Sequence, residues 1–210
     1  MARVKLLEKA SPKQKIIKED NGDIFIEGVF AVYDKVNLNG RRYPKSVMES
    51  AVNLYNEQYV NNRRSHSELD HPETRSDPWL SESAIFIKEP LVLKEGGEVF
   101  GRAKVLCGNK NFPDGTPKGK ILAYLIDEGI SVGISTRGLG ELVEVIEESS
   151  DGESITISEV ADYEINAFDV VGTPSSDYYV DKSGKVKPKS DVVKESKQLD
   201  ILKLVELLND

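Results

Sequence analysis

The chain contains two long runs of β-forming residues, VGISTRGLGELVEVIEE at 132–148 and SITISEVADYEINAFDVVG at 154–172. Ser149-Ser150-Asp151-Gly152 stands between the two runs, and Pro174 follows the second. β-Branched residues on both sides of a short turn rich in Ser, Asp and Gly predict two strands joined as a hairpin. The hairpin indicates a strand-rich domain in which most pairing is antiparallel.

The sequence before this hairpin alternates between strand and helix patterns. In chain order it predicts a strand at 24–34, a helix at 44–60, a hairpin at 83–106 and a helix at 116–129. Pro44 opens the first helix, Thr116 stands at the N-cap of the second, and Gly129 stands at its end. The chain is therefore predicted to have an α+β fold.

The 210 residues divide into four segments. Residues 1–20 are rich in Lys and Glu with weak periodicity, which predicts a flexible N-terminal arm. Residues 21–180 carry the strand and helix patterns and suit one domain. Residues 181–198 are predicted to be a polar linker, and residues 199–210, with leucines on one helical face, an amphipathic C-terminal helix.

Composition excludes several classes of protein. The chain has 28 Lys and Arg against 36 Asp and Glu, a net charge of −8, which argues against direct binding to nucleic acid. The single cysteine, Cys107, excludes an internal disulfide and a cysteine-based zinc site, and it favours a reducing, cytoplasmic setting. No apolar run approaches the roughly 20 residues of a membrane helix. We expect no metal, no cofactor and no membrane partner.

Two histidines, His66 and His71, limit the choice of a general base. Both lie in a polar stretch between the first helix and the hairpin at 83–106. Glu68 and Asp70 precede His71 closely enough in the sequence to orient its ring or fix its tautomer. A solvated loop histidine is the alternative interpretation, and the sequence alone leaves both open.

Two further stretches carry groups suited to acyl transfer. Ser135 and Arg137 lie in Gly133–Gly138 (GISTRG), where a serine could attack a carbonyl and an arginine could stabilise the oxyanion. Ser131 is a competing nucleophile. Asp169 lies inside an apolar strand pattern, where a carboxylate could orient a histidine as the third member of a Ser-His-acid set does. A polar strand edge and a solvent-facing carboxylate are the alternatives.

Four motifs in this order resemble the prohead core protein proteases of tailed phages: NGRRYP at 39–44, SELDHP at 67–72, GISTRG at 133–138 and FDVVGTPS at 168–175. The resemblance covers about residues 20–180. It implies a relation in fold to the herpesvirus assembly protease, and so a mostly antiparallel β-barrel flanked by helices. It also implies that the chain is a serine endopeptidase of capsid maturation that needs no cofactor.

The resemblance implies roles for the residues that match its motifs. Ser135 would be the nucleophile, His71 the general base and Arg137 the oxyanion-side residue. We assign Asp169 as the third member, with Glu68 and Asp70 as the alternative acids.

The resemblance also implies substrates and partners. Such proteases cleave scaffold (core) proteins, the propeptide of the major capsid protein and themselves, after Glu in an apolar-x-Glu-small pattern. We expect self-cleavage between Glu195 and Ser196 in the polar linker, with Glu148-Ser149 and Glu82-Ser83 as further matches. Cleavage in the linker would release the C-terminal helix and so activate a zymogen.

We also expect a homo-oligomer, a dimer or higher, in the host cytoplasm inside the immature capsid. The alternative is a catalytically silent capsid-assembly module of the same fold, linked to the scaffold. The presence of Ser135, His71 and Arg137 favours the enzyme. A metal-binding or nucleic-acid-mimicking protein ranks last, because the acidic residues are scattered among lysines.

Overall fold

The computed structural model describes residues 4–9, 14–37, 39–148, 154–172, 179–180 and 186–187. The chain divides into two compact units, Met1–Ser176 and Asp177–Asp210. In the second unit the described residues form a short antiparallel pair of strands. The remainder of the predicted linker at 181–198 and the predicted helix at 199–210 lie outside the described residues.

Strands outnumber helices in the described residues. The strands are β1 (Val4–Lys9), β2 (Gln14–Lys18), β3 (Ile24–Val32), β4 (Arg41–Arg42), β5 (His66–Glu68), β6 (Ser83–Ile87), β7 (Val92–Lys94), β8 (Glu98–Val105), β9 (Gly133–Glu148), β10 (Ser154–Val171), β11 (Tyr179–Val180) and β12 (Val186–Lys187). The helices are α1 (Lys45–Tyr55), a π-helical turn (Asn56–Val60), a 3₁₀ turn (Leu80–Glu82) and α2 (Pro117–Asp127). The described helices include none long and apolar enough to cross a membrane.

Two sheets make up the first unit. One has the order β1-β9-β10-β4, and the other runs β2-β3-β8-β6-β5 with β7 also paired to β8. Pairing is antiparallel except for β4 beside β10 and a single parallel bridge between Leu69 and Val170. The expectation of a β-barrel therefore needs correction. Within the described residues of the first unit, the strands form two sheets that meet at this bridge and do not close.

The prediction of a flexible arm at residues 1–20 is wrong where these residues are described. β1 pairs with β9 from Val4 opposite Gly140 to Lys9 opposite Ser135. β2 pairs with β3. Lys and Glu between the apolar residues concealed the strand pattern, yet Leu6 is fully buried and Ile16 packs against the core. Long charged side chains are common on edge strands, because they discourage pairing with other chains.

The sequence signals for the helices are confirmed. α1 follows Pro44 and buries Met48, Ala51, Val52 and Tyr55. At the start of α2, the Gly119 N–H donates to Thr116 Oγ1 over 3.0 Å, and Pro117 is the first helical residue. Gly129 follows the helix with a φ of 75°, a left-handed conformation that favours glycine.

The β9–β10 hairpin separates the hydrophobic core from a polar face. Thr136 lies opposite Phe168, and Ser135 lies opposite Asp169. Phe168 faces the core, where its ring centroid lies 5.0 Å from that of Tyr55 on α1 and 5.9 Å from that of Phe30 on β3. Because successive residues of a strand point to opposite faces, Ser135 and Asp169 share the other face of the ladder.

Candidate active site

The register of the β9–β10 ladder brings the predicted serine and the predicted acid together. Asp169 is the direct cross-strand partner of Ser135. Arg137, two residues beyond Ser135 on β9, has the same orientation because side chains alternate along a strand. All three residues are fully buried. Backbone pairing alone therefore groups a hydroxyl, a carboxylate and a guanidinium on one face, here named the β9–β10 face.

His71 reaches this face from the segment that follows β5. The Asp70 N–H donates to the Val170 carbonyl over 2.8 Å, next to the bridge between Leu69 and Val170. Asp70 itself has a φ of 56°, in the left-handed region that Asp tolerates better than most residues. This turn directs the next residue, His71, over Ser135 and Asp169.

The His71 ring bridges the serine and the acid. Its Nδ1 lies 2.7 Å from Asp169 Oδ2, and its Nε2 is hydrogen-bonded to Ser135 Oγ. Since an ionised carboxylate only accepts hydrogen bonds, Nδ1 carries the proton and Nε2 is the acceptor for the serine hydroxyl. The His71 side chain is only 8% exposed. The arrangement is that of a serine activated by a histidine that a third group orients.

Asp169 is a buried carboxylate with four hydrogen-bond donors. Besides His71, the Glu68 N–H donates over 3.0 Å, and Arg137 donates through Nε over 2.7 Å and through Nη2 over 3.1 Å. Burial is the largest influence and raises the carboxyl pKa, but the bonds from His71 and Arg137 together outweigh it, so the pKa lies below its ordinary value. The carboxylate is therefore ionised at neutral pH.

The structure corrects the expected position of Arg137. Its guanidinium donates to Asp169, to Glu68 Oε2 over 3.2 Å and to the Ser76 carbonyl over 2.8 Å. These partners lie on the side of the acid, whereas an oxyanion would develop beside the nucleophile. The GISTRG motif could not reveal this, because the contacts depend on the pairing of β9 with β10 and on residues from the β5 region.

The other candidate residues do not reach the ring of His71 through any described hydrogen bond. The Glu68 carboxylate bonds Arg75, Arg137 and the Trp79 N–H. Asp70 is exposed, and so is Ser131. His66 instead contacts the Arg64 carbonyl through Nδ1 at 2.9 Å. Glu68 and Asp70 are thus not placed to orient His71 as Asp169 is.

The segment 72–79, which follows His71, lies against the site and was not anticipated. Arg75 Nη1 donates to both Glu68 oxygens at 2.8 Å, and the Arg75 guanidinium stacks over Trp79 with its carbon 4.3 Å from the ring centroid. Asn166 on β10 donates to Asp77 over 3.1 Å. The only available sequence signal was the density of Arg, Asp and Trp in a loop with two prolines, which does not specify partners.

Tyr55 supports the site from the core side. It is fully buried, and this burial raises the pKa of its phenol far above the ordinary value. Its ring meets Phe168, the neighbour of Asp169, edge to face. The closeness of Tyr55 to the acid depends on tertiary packing, which a helix pattern at 44–60 does not specify.

Over the described ranges, no group of three or more His, Cys, Asp or Glu side chains is arranged to hold a metal ion. The predicted cleavage pair Glu195-Ser196 lies outside the described residues.

Comparisons with known proteins agree with one another. The model of one family, described as prohead core protein serine protease, matches residues 2–197. The prohead core protein protease of Enterobacteria phage T4 is 36% identical over 124 residues, 59% of this chain and 54% of that protein. The match therefore spans about half the length of this curated relative. The solved structure of the bacteriophage T4 capsid assembly protease has a TM-score of 0.67 and 29% identity, covering 82% of this chain and 99% of that chain.

Proposed function

The chain belongs to the prohead core protein serine protease family, and from this premise we propose that it is a serine endopeptidase of phage capsid maturation. The observation that carries the proposal is the position of His71, whose two ring nitrogens contact Ser135 Oγ and Asp169 Oδ2. A buried acid, a histidine and a serine in this order are the parts needed for covalent acyl transfer.

The proposed reaction follows from the hydrogen bonds of these three residues. His71 Nε2 takes the proton of Ser135 while Oγ attacks the scissile carbonyl, and Asp169 stabilises the imidazolium that forms. The protonated His71 then gives its proton to the leaving amine as the C–N bond breaks. Water, activated by the same nitrogen, attacks the acyl-enzyme and releases Ser135. Arg137 acts on Asp169 and is not assigned to the oxyanion.

The nucleophile is inaccessible in this form of the protein. Ser135 is 0% exposed and the His71 side chain is 8% exposed. A polypeptide must therefore gain access to the β9–β10 face before it can be cleaved. This burial supports the expectation of a zymogen that opens during assembly.

We propose cleavage after Glu in apolar-x-Glu-small sites, with scaffold proteins, the capsid-protein propeptide and the chain itself as substrates. Of the internal matches, Glu82-Ser83 is protected, because Ser83 is buried and its carbonyl accepts a hydrogen bond from Thr116 Oγ1 over 2.6 Å. Proteases need extended, accessible backbone. The site after Glu195, in the segment predicted to be a polar linker, remains the favoured self-cleavage site.

The setting of the reaction is part of the same proposal. We place the protein inside the immature capsid in the host cytoplasm, in contact with scaffold and major capsid proteins, as a dimer or larger homo-oligomer. We also propose the relation in fold to the herpesvirus assembly protease, with two sheets in place of the expected barrel. A superposition of the β9–β10 and β5–β6 regions on that enzyme tests the relation.

The decisive experiment follows the intact mass of wild-type and Ser135→Ala proteins over time, with the scaffold protein of the same phage added. We expect loss of the residues after Glu195 and cleavage of the scaffold in the wild type alone. Ser131→Ala is the matched control, since it removes an exposed hydroxyl four residues away, and it should cleave normally. Equal cleavage by wild type and Ser135→Ala would remove Ser135 from the mechanism. Absence of cleavage in every sample would favour the catalytically silent module.

A further inference from the structure

The Glu68 carboxylate is hydrogen-bonded both to the segment 72–79 and to Arg137 on the β9–β10 face. Its side chain is 2% exposed, and it accepts hydrogen bonds from Arg75 Nη1 at 2.8 Å, from the Trp79 N–H at 2.6 Å and from Arg137 Nη2 at 3.2 Å. A carboxylate removed from water needs several donors of this kind to remain ionised. Every described donor comes from the segment 72–79 or from the β9–β10 face.

On the side of the β9–β10 face, Glu68 limits the freedom of Arg137. The guanidinium is shared between two buried carboxylates, with Nη2 donating to Glu68 Oε2 at 3.2 Å and to Asp169 Oδ1 at 3.1 Å. The Glu68 backbone N–H donates to the same Asp169 oxygen. Glu68 therefore holds Asp169 in two ways. Its backbone N–H donates to the Asp169 carboxylate, and its side chain fixes Arg137, which donates to the same carboxylate.

On the other side, Glu68 holds the segment that begins directly after His71. Arg75 binds both carboxylate oxygens, and the Trp79 amide binds Oε1. Arg137 adds a bond to the Ser76 carbonyl. Glu68 lies three positions before His71, and the segment bonded to its carboxylate follows His71. The chain on both sides of the histidine is therefore held at one side chain.

We propose that Glu68 is a positioning residue of the serine protease, which sets the alignment of Asp169 and His71 through Arg137 and through the segment 72–79. The inference rests on the proposed function. It differs from the role of alternative acid, since no described hydrogen bond joins Glu68 to His71, and Glu68 instead fixes groups around it. Small misplacements of reacting groups cost about 100-fold in rate, so loss of this carboxylate should slow the chemical step while the peptide still binds.

The test compares Glu68→Gln with wild type in two assays. The first measures kcat and KM for a synthetic peptide of residues 190–199, together with the rate at which a fluorophosphonate labels Ser135. In labelling, the Ser135 Oγ–P bond forms, the P–F bond breaks, and the hydroxyl proton passes to His71. We expect kcat and the labelling rate to fall about 100-fold with KM nearly unchanged. Glu49→Gln, the same change at an exposed site on α1, should match wild type.

The second assay needs no enzymatic activity. Trp79 is the only tryptophan of the chain, and its amide and its ring are both tied to Glu68, the ring through the stacked Arg75. In a Ser135→Ala background, Glu68→Gln should change the Trp79 emission and increase its quenching by acrylamide, because Trp79, already 59% exposed, would lose the contact of its ring with Arg75. Arg75→Gln should change the emission similarly but slow labelling less in the active protein, because the bond between Glu68 and Arg137 is kept.

Each result decides the proposal. Unchanged kcat and labelling in a folded Glu68→Gln protein would overturn it, and so would unchanged Trp79 emission. If Glu68→Gln does not fold, Glu68→Asp keeps the charge, shortens the side chain by one methylene and should show the same loss in kcat. A wild type that neither cleaves nor reacts, both as the full chain and as a chain ending at Glu195, would overturn the proposed function, and the emission assay would still decide whether Glu68 holds the segment.

Discussion

Two regions build the candidate site by different means. The β9–β10 face places Ser135 opposite Asp169 through a backbone ladder, so their pairing follows from strand register. The segment 72–79 is held by side-chain contacts to Glu68, Arg137 and Asn166. The preceding His71 is held by its bonds to Asp169 and Ser135. The serine and the acid should therefore tolerate nearby substitutions, whereas the base depends on a few buried charges.

The largest expected effect comes from the acid on the β9–β10 face. Asp169→Asn keeps the shape of the side chain but removes the charge that fixes the proton on His71 Nδ1. By analogy with other Ser-His-Asp enzymes, we expect kcat to fall on the order of 10⁴-fold. Peptide cleavage and fluorophosphonate labelling measure the change. Glu144→Gln, on the exposed distal part of β9, serves as control, and equal losses in both variants would contradict the assignment.

The largest effect on stability should come from removing the Arg137 cation, which lies between the two regions. Arg137→Met leaves Asp169 and Glu68 buried without their shared partner, and breaking one side of a buried ion pair costs about 3–5 kcal/mol. Urea unfolding measures the loss. Arg102→Met is a suitable comparison, because Arg102 is 29% exposed and pairs with Glu19 at the surface. There we expect about 1 kcal/mol or less, and similar losses in both variants would argue against a buried network.

Acid should weaken the same network in a defined direction. The Asp169 pKa is lowered from its ordinary value of 3.8, against the effect of burial, by hydrogen bonds from His71 and Arg137. The folded state therefore binds this proton more weakly than the unfolded chain does. The stabilisation is present above the unfolded pKa and is lost as pH falls through the folded value. Urea unfolding is measured from neutral pH to below 3.8. The free energy of unfolding should fall less steeply with acid in Asp169→Asn than in wild type.

The smallest effect should come from the single bond between Asn166 and Asp77. Asp77→Ala removes the acceptor, and we expect a loss of about 1 kcal/mol or less, confined to the segment 72–79. Amide hydrogen exchange of this segment would rise while that of β9 stays constant. Asp77→Asn keeps an acceptor oxygen and should retain most of the protection. A rise in exchange across β9 would show that the two regions are not separately held.

The sequence predicted much of the fold but only part of the candidate site. The hairpin at 132–172, both helices and the residues Ser135, His71 and Asp169 came from local patterns and from the family motifs, and the structure brings these three side chains together. The pairing of β1 with β9 was missed, because Leu6 is surrounded by charged residues. Periodicity does not reveal which strands meet across the molecule.

The roles of Arg137 and Glu68 illustrate the same limit. Both are buried charges, which single-sequence patterns place at the surface by default. Their burial is possible only because Arg137, Arg75, Asp169 and a backbone amide converge from different segments. Such mutual compensation is a property of the assembled fold. For this reason the sequence did not show that Arg137 would lie beside Asp169.

The β9–β10 pairing also has a consequence for the time at which the site forms. Asp169 lies 32 positions from Arg137 on the other strand of the hairpin. His71 lies 64 positions from Ser135. Local hairpins close faster than contacts between distant parts of a chain. The serine and the acid should therefore meet early in folding, and the histidine should join them only when β5 docks on β10 at the Leu69–Val170 bridge. A nascent chain would then hold the serine and the acid without the histidine. Its synthesis could finish before the site is able to cleave a peptide bond.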